Sequence, residues 1–147
     1  MAGAPDPRAV AIRFWTSVHE GWFRATDGRV LNRTLGMPVV MLTTTGHRTG
    51  RPRTVMLTSP VQQGESVVLV ASNAGGTAHP AWFVNVRHNP RVEVTMDGRR
   101  RAMDARVLSD EERERVWPLV VAAYEGYATY QDRTARSIPL VVLDPAG

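Results

Sequence analysis

Short runs of β-branched and apolar residues, each bounded by turn residues, limit the folds open to this chain of 147 residues. The runs occupy residues 39–45, 54–59, 66–72, 91–96, 99–108 and 138–143, and each of them predicts a strand. Asp97-Gly98 predicts a tight hairpin between two of these strands. Because most strands are joined by short turns and not by helices, the pattern favours a small antiparallel β-barrel over a doubly wound sheet.

Helical patterns lie outside this predicted sheet. Asp6 and Pro7 begin an amphipathic pattern that carries Trp15 and Trp22 on one stripe and runs to about residue 25. The stripe would cover the sheet, although it could instead lie on a membrane surface or on another subunit. We therefore expect one domain, in which residues 1–38 form an amphipathic helix with a connector and residues 39–147 form the barrel.

Two shorter helices are predicted further along the chain. Pro80 stands near the start of the first, after a glycine-containing loop. Ser109 and Glu112 form a capping box that opens the second, which reaches about Tyr124. The expected fold class is therefore mainly β, within the α+β class, with peripheral helices.

Composition excludes several classes of function. The sequence has no cysteine, which excludes disulfides, thiolate metal sites and a cysteine nucleophile. Its four histidines lack the spacing of a local metal site, so we expect no metal. The net charge of +4 does not form a basic stripe with interleaved aromatics, so we expect no nucleic-acid partner. No segment is apolar for the ~20 residues that a membrane span needs, and we expect a cytoplasmic protein.

The turn between the first two predicted strands carries Arg48, Arg51 and Arg53 beside Gly46 and Gly50. Guanidinium groups bind phosphates and carboxylates through paired hydrogen bonds, and backbone N–H groups near glycines can form a concave donor nest. The turn therefore predicts an anion site, and a solvated basic turn is the alternative.

The segment 70–85 runs from a strand through a loop with Gly75 and Gly76 into the helix near Pro80. Unpaired N–H groups at a helix amino terminus favour anions, so this loop would add to the anion site if it faced the arginine turn. Trp82 could flank a flat ring there, or it could fill the core.

All three tyrosines of the chain, Tyr124, Tyr127 and Tyr130, fall in one segment around Gly126. Tyrosines at such spacing usually fill a core and keep one wet edge. Their concentration near a helix end also suits a pocket wall whose hydroxyl groups face a substrate.

Together these segments resemble the deazaflavin-dependent nitroreductase family, oxidoreductases of split β-barrel, FMN-binding-like fold that use reduced coenzyme F-420. The likeness extends from about residue 39 to residue 145. The matching elements are residues 42–53, Ala71-Ser72 with Gly75-Gly76, His79 to Phe83 with Asn85, Asn89-Pro90, residues 111–118, the tyrosine segment and Ile138-Pro139.

The resemblance implies a cofactor site at the matching positions. The coenzyme's phosphate and oligoglutamate tail would meet the turn, at His47, Arg48, Thr49, Gly50 and Arg53. The deazaflavin ring would be lined by the next strand and by the loop after the third strand, at Val55, Met56, Leu57, Ala71, Ser72 and Asn73. The start of the short helix would close the phosphate and ring side, at Ala81, Trp82 and Asn85.

The resemblance also implies an acceptor side bordered by Thr58, Tyr124, Tyr127 and Tyr130. Tyr130, Tyr124 or Ser72 would be the catalytic group that hydrogen-bonds the acceptor as it gains charge, with Tyr130 the nearest donor. Three positions depart from the family pattern. His47 stands where a cation is frequent, Asn73 where a lysine can occur, and Thr58 where an aromatic would face the substrate, which argues against nitroimidazole reduction in particular.

The expected activity is hydride transfer from reduced coenzyme F-420 to a small-molecule acceptor such as a quinone, an activated nitro compound or an enone. A reductase that uses flavin mononucleotide (FMN) on the same barrel is the closest alternative. A non-catalytic carrier of the deazaflavin or of an apolar ligand is an alternative of another class. We expect a monomer or a homodimer.

Overall fold

Eight strands form the sheet in this computed structural model, which describes residues 33–34 and 36–146. They are β1 (Arg33–Thr34), β2 (Met37–Thr45), β3 (Pro52–Thr58), β4 (Val61–Gln63), β5 (Ser66–Val70), β6 (Arg91–Met96), β7 (Arg99–Val107) and β8 (Leu140–Pro145). Their order is β1-β2-β6-β7-β8-β5-β4, and β3 pairs with β2. Every pairing is antiparallel, as the sequence predicts.

Within the part of the chain that the structure describes, three α-helices and one 3-10 turn accompany the sheet. The helices are α1 (Ala81–His88), α2 (Asp110–Ala123) and α3 (Gly126–Asp132), and the 3-10 turn is Asn73–Gly75. The helix predicted over residues 6–25 lies outside the described residues. Among the described residues, no helix is long and apolar enough to cross a membrane.

The predicted capping box begins α2. The Ser109 hydroxyl accepts a hydrogen bond from the Glu112 N–H at 3.2 Å, and the Glu112 carboxylate accepts one from the Ser109 N–H at 2.9 Å. Arg106 also donates to Glu112 at 2.8 Å. The bond from Arg106, followed by the backbone bond from Ser109, lowers the pKa of Glu112 to about 2.

Several element boundaries differ from the sequence prediction. β2 begins at Met37, two residues before the predicted boundary between connector and barrel. The strand predicted over residues 66–72 ends at Val70, because the chain then bends into the 3-10 turn. The last strand begins at Leu140, since the Ile138 N–H donates to a side chain, that of Gln131, at 3.0 Å. β4 and α3 were not predicted, because three and seven residues are too short for a clear periodicity.

Both faces of the sheet are buried, which explains the almost continuous apolar runs. Along β5, Val67 and Leu69 join one cluster, and Val68 and Val70 join another. The first cluster contains Trp82, Phe83 and Val86 of α1, whereas the second contains Val120 of α2 and Tyr127 of α3. Alternate residues of a strand point to opposite faces, so α1 covers one face of the sheet and α2 with α3 cover the other.

Candidate functional site

The arginine turn is a closed loop on the β2–β3 hairpin. The Gly46 N–H donates to the Arg51 carbonyl at 2.8 Å, and the Gly50 N–H donates to the Gly46 carbonyl at 2.8 Å. The Arg51 N–H donates to the Thr49 hydroxyl at 3.2 Å. Gly50 has a φ of 71°, a conformation that favours glycine. These bonds fix the backbone from which the arginine side chains extend.

The guanidinium groups of this turn are available for an anionic ligand. Arg48, Arg51 and Arg53 are exposed, and no acidic side chain of the described residues forms an ion pair with them. The second arginine-rich hairpin differs, because Arg99 and Arg101 pair with Glu65 and Arg100 pairs with Glu93. The β2–β3 turn therefore concentrates positive charge without neutralising it.

Asn85 connects the arginine turn to α1. Its side-chain oxygen accepts from the His47 N–H at 3.1 Å and lies 2.9 Å from His47 Nδ1, while its amide donates to the Thr44 hydroxyl at 3.0 Å. Asn85 is buried, and the His47 ring stacks on that of His88 with centroids 5.1 Å apart. The buried Asn85 amide thus holds the turn against the helix, and both its oxygen and its nitrogen form hydrogen bonds within the protein.

The amino terminus of α1 lies about one helical turn before Asn85, a rise of about 6 Å along the helix axis. The first bond of the helix runs from the Phe83 N–H to the Pro80 carbonyl at 3.1 Å, so the N–H groups of Ala81 and Trp82 precede it. Ala81 is exposed, whereas the Trp82 side chain is only 6% exposed and lies in the first core cluster. This burial favours the packing role that the sequence left open for Trp82.

The loop between β5 and α1 bends sharply. Asn73, Ala74 and Gly75 have successive φ values of 46°, 53° and 78°. A Cβ atom on Gly75 would come within 2.7 Å of the Tyr130 carbonyl oxygen, so the loop backbone touches the backbone of α3. Ser72 and Ala71, which precede the bend, are buried.

The three tyrosines form one aromatic cluster in edge-to-face contact, with centroid distances of 5.3 to 6.4 Å. The Tyr124 ring lies so close to Gly126 that a Cβ atom there would overlap it. Tyr127 is buried, and its hydroxyl lies 3.2 Å from the Thr58 hydroxyl and donates to Met37 Sδ at 3.8 Å. Burial raises the pKa of Tyr127, and the bond with Thr58 offsets part of that rise.

Tyr130 is half-buried beside this pair. Burial, followed by its hydrogen bond with Tyr124, raises the pKa of Tyr130 to about 12. Its hydroxyl therefore stays protonated at neutral pH and can donate a hydrogen bond.

Strand β3 links the arginine turn to the tyrosine cluster. Arg53 is the second residue of the strand and Thr58 the last, and five residue steps in a strand span about 17 Å. Within the described residues β3 pairs only with β2, so its other edge presents backbone N–H and C=O groups. Val55, Leu57 and Thr58 are half-buried, whereas Met56 packs in a separate buried cluster with Val39 and Met41.

One residue that sequence reasoning missed joins two parts of this region. Arg136 donates hydrogen bonds to the carbonyls of Ala71, Ser72 and Gly76 at 3.2, 2.8 and 3.0 Å. It follows the tyrosine segment by six residues and belongs to no local motif, so the sequence carried no signal for this contact across about 60 positions. The Arg136 carbonyl accepts from the Gln131 amide on α3 at 2.7 Å, so Arg136 links the predicted ring-side loop to the helix that carries Tyr127 and Tyr130.

Comparisons with known proteins show the family to which the chain belongs. The sequence profile of the F420H(2)-dependent quinone reductases matches residues 15–145. The chain belongs to this family. An F420H(2)-dependent quinone reductase of Mycobacterium tuberculosis strain H37Rv is 36% identical to it over 130 residues, which cover 86% of this chain and 87% of that protein.

Two solved structures extend the likeness to the fold. An F420-H2 dependent reductase, FDR-A, has a TM-score of 0.66 and 41% identity, and the match covers 73% of this chain and 94% of that one. A second structure, described as a domain-swapped dimer, has a TM-score of 0.69 and 39% identity over 87% of this chain and 97% of that one. Membership in the quinone reductase family confirms the predicted split β-barrel, the oxidoreductase class and coenzyme F-420 as the cofactor of the family.

Proposed function

We propose that this protein transfers a hydride from reduced coenzyme F-420 to a quinone. The coenzyme would lie along the edge of β3 that pairs with no strand of the described residues, which we call the free edge. The observation that carries the proposal is that β3 has a cluster of positive charge at one end and a cluster of aromatic residues at the other. Exposed arginines that pair with no acidic side chain of the described residues stand at one end, and a tyrosine cluster stands at the other. A cofactor with an anionic tail and an apolar ring system needs both.

The residues at the arginine end fit a phosphate and a glutamate tail. Arg48 and Arg53 can each offer paired N–H donors, and Thr49 and Gly50 lie between them on the closed turn. The N–H groups of Ala81 and Trp82 add the positive end of the α1 dipole. Asn85 fixes the position of the arginine turn, because its amide forms hydrogen bonds with His47 and Thr44.

The middle of the site fits the ring. Val55 and Leu57 supply half-buried apolar surface, and the free edge of β3 supplies backbone donors and acceptors for ring heteroatoms. Ala71, Ser72 and Asn73 form the opposite wall, where Arg136 already binds the carbonyls of Ala71 and Ser72. Met56 contributes through its backbone, since its side chain packs away in a buried cluster.

The acceptor side is formed by Tyr124, Tyr127, Tyr130 and Thr58. A bound reduced deazaflavin supplies the hydride from its central ring carbon, and the protein contributes position, exclusion of water and hydrogen bonding. Tyr127 is buried and bonded to Thr58, which leaves the half-buried, hydrogen-bonded pair Tyr130 and Tyr124 as the hydroxyls for an acceptor, and we assign the donor role to Tyr130. Because its pKa is about 12, Tyr130 can donate a hydrogen bond to the acceptor oxygen as negative charge grows there.

The assignment of Tyr130 as donor is tested by Tyr130→Phe. The variant should lower kcat with a quinone by about tenfold or more and leave the affinity for the coenzyme nearly unchanged. Full turnover by this variant with every accepted substrate would refute the role of Tyr130, and Tyr124 and Ser72 would then be the donors to test.

The decisive experiment mixes the protein with reduced coenzyme F-420 and menadione without oxygen. An enzyme restores the near-visible absorbance of the oxidised coenzyme at a rate proportional to protein concentration. A carrier, the alternative of another class, would change only the fluorescence of the coenzyme. Reduced FMN supplied in place of the deazaflavin tests the remaining alternative, and faster turnover with FMN would refute the choice of cofactor.

A further inference from the structure

Arg136 spans the loop between β5 and α1. Its Nε donates to the Gly76 carbonyl at 3.0 Å, its Nη2 to the Ser72 carbonyl at 2.8 Å, and its Nη1 to the Ala71 carbonyl at 3.2 Å. Nη1 also lies 3.0 Å from Nδ1 of His79. One half-buried side chain therefore contacts this loop at its start, its middle and its end.

The backbone that carries Arg136 is itself fixed. The Gln131 amide donates to the Arg136 carbonyl at 2.7 Å, and the Gln131 side-chain oxygen accepts from the Ile138 N–H at 3.0 Å. Arg113 of α2 donates to the same oxygen at 2.9 Å and to the Ile138 carbonyl at 2.7 Å. The guanidinium group thus starts from a segment tied to both α2 and α3.

His79 supports the same arrangement. Its Nδ1 can accept from Arg136 only when that nitrogen carries no proton. Burial lowers the pKa of His79, and the charges of Arg136 and of Arg87 on α1 lower it further. The histidine is therefore a neutral acceptor, and the positive charge of the cluster is carried by the arginine.

Arg136 joins the β5–α1 loop to α3, and the proposed function assigns the first to the ring side of the site and the second to the acceptor side. Ser72 and Asn73 lie on the side of the ring, and α3 carries Tyr127 and Tyr130. We propose that Arg136 is a positioning residue that fixes the ring-side loop relative to the tyrosine cluster, so that the coenzyme and the acceptor meet in one geometry. This inference rests on the proposed function. A lysine cannot replace the contact fully, because an ammonium group lacks the planar fork that reaches several carbonyls at once.

The test compares Arg136→Gln and Arg136→Lys with the wild type and with Arg101→Gln. Arg101 is a matched control, because it is also partly buried and its guanidinium contacts the backbone carbonyl and carboxylate of Glu65 at 3.4 and 3.6 Å on another hairpin. Four quantities are measured well below each melting temperature: the Kd for oxidised coenzyme F-420 by fluorescence, kcat, KM for menadione, and hydrogen exchange of peptides that cover residues 71–80 and 124–134.

Arg136→Gln should bind the coenzyme about tenfold more weakly, the change expected for one charge-assisted hydrogen bond, and should raise KM for menadione as well. Hydrogen exchange should increase in the two peptides and stay unchanged elsewhere, whereas a merely destabilised protein would exchange faster throughout. Arg136→Lys should change Kd and KM in the same direction but by less than Arg136→Gln. If Arg136→Gln does not fold, the Kd and KM of Arg136→Lys test the inference.

Three outcomes would overturn the inference. Kd and KM within twofold of the wild type in a folded Arg136 variant would refute the positioning role and leave the proposed function intact. Equal effects in Arg101→Gln would show that the loss is general. Absence of coenzyme binding by the wild type would refute the proposed function together with the inference.

Discussion

The Thr58 hydroxyl lies 3.2 Å from the Tyr127 hydroxyl, and this contact joins the end of β3 to α3 across 69 positions of sequence. Tyr127 is buried, and its other polar contact is a long one to Met37 Sδ at 3.8 Å. The family resemblance implies an aromatic residue at position 58, facing the acceptor. Here a small hydroxyl holds a buried tyrosine in place instead.

Thr58→Val should remove this bond without changing side-chain size. We expect the free energy of unfolding to fall by about 1 kcal/mol, since a buried hydroxyl loses its main partner. The pKa of Tyr127 should rise further, because the bond with Thr58 lowers it in the wild type. Denaturant unfolding and ultraviolet titration of tyrosinate measure the two effects. Thr129→Val, an exposed position on α3, should change neither, and equal behaviour of the two variants would contradict the assigned bond.

Stability should decrease as the pH rises from about 10 to about 12. An unfolded tyrosine ionises near pH 10, whereas Tyr130 in the folded protein has a pKa of about 12 and Tyr127 a raised pKa. The folded pKa lies above the unfolded one, so this contribution is complete below pH 10 and is lost as the pH approaches the folded pKa.

The sequence contains no lysine, which leaves this alkaline range comparatively free of other titrations. Guanidinium unfolding at several alkaline pH values measures the slope, and Tyr130→Phe should flatten it. If Tyr130→Phe leaves the dependence of the unfolding free energy on pH unchanged, groups other than Tyr130 cause the loss of stability.

Gly75→Ala should destabilise the protein by more than about 2 kcal/mol. The substitution adds a Cβ atom at a positive φ and also forces it against the Tyr130 backbone, at 2.7 Å from the carbonyl oxygen. Gly64→Ala is the matched control, because Gly64 has a φ of 61° but nothing within 4 Å of an added Cβ. It should lose only about 1 kcal/mol. Equal losses in denaturant unfolding would show that the loop and α3 do not touch at this point.

Asn85→Leu should weaken coenzyme binding through the arginine turn. The variant removes the acceptor for His47 and the donor to Thr44, both of which lie in or near the turn. We expect the unfolding free energy to fall by about 1–3 kcal/mol and Kd for the coenzyme to rise, with KM for a quinone less affected. Asn89→Leu changes an exposed residue just after the same helix and should alter neither constant. A coenzyme Kd equal to that of the wild type in Asn85→Leu would show that the Asn85 amide does not contribute to coenzyme binding.

Local patterns predicted the parts of the fold that depend on neighbouring residues. The β2–β3 hairpin, the Asp97-Gly98 turn and the capping box at Ser109 each involve residues close in sequence, and each is present. The strand order could not be read in the same way, because it depends on which runs pair across long separations. Short elements such as β4 were missed, since tertiary pairing stabilises them more than their own residues do.

In the candidate site, too, features formed by neighbouring residues were predicted and contacts between distant residues were not. The arginine turn and the tyrosine segment are visible as local concentrations of one residue type. Their connections are not, because Asn85 reaches His47 across 38 positions and Arg136 reaches Ser72 across 64. A lone buried amide or a lone arginine has no motif, and only the folded chain shows what it binds.

The most direct test of the account is the affinity for oxidised coenzyme F-420 of the double variant Arg48→Gln with Arg53→Gln. Arg99→Gln with Arg100→Gln serves as the control, since those arginines pair with Glu65 and Glu93 on another hairpin. Fluorescence titrations are made at about 0.01 M and about 1 M salt, between which the Debye length falls from ~30 Å to ~3 Å. A ring fragment without phosphate and glutamates is titrated in parallel.

We predict that the Arg48 and Arg53 variant binds the complete coenzyme at least about tenfold more weakly at low salt, that high salt reduces the difference, and that the ring fragment binds all proteins alike. The control variant should match the wild type. Binding of the complete coenzyme within twofold of the wild type at low salt would contradict the claim that the β2–β3 turn holds its anionic end.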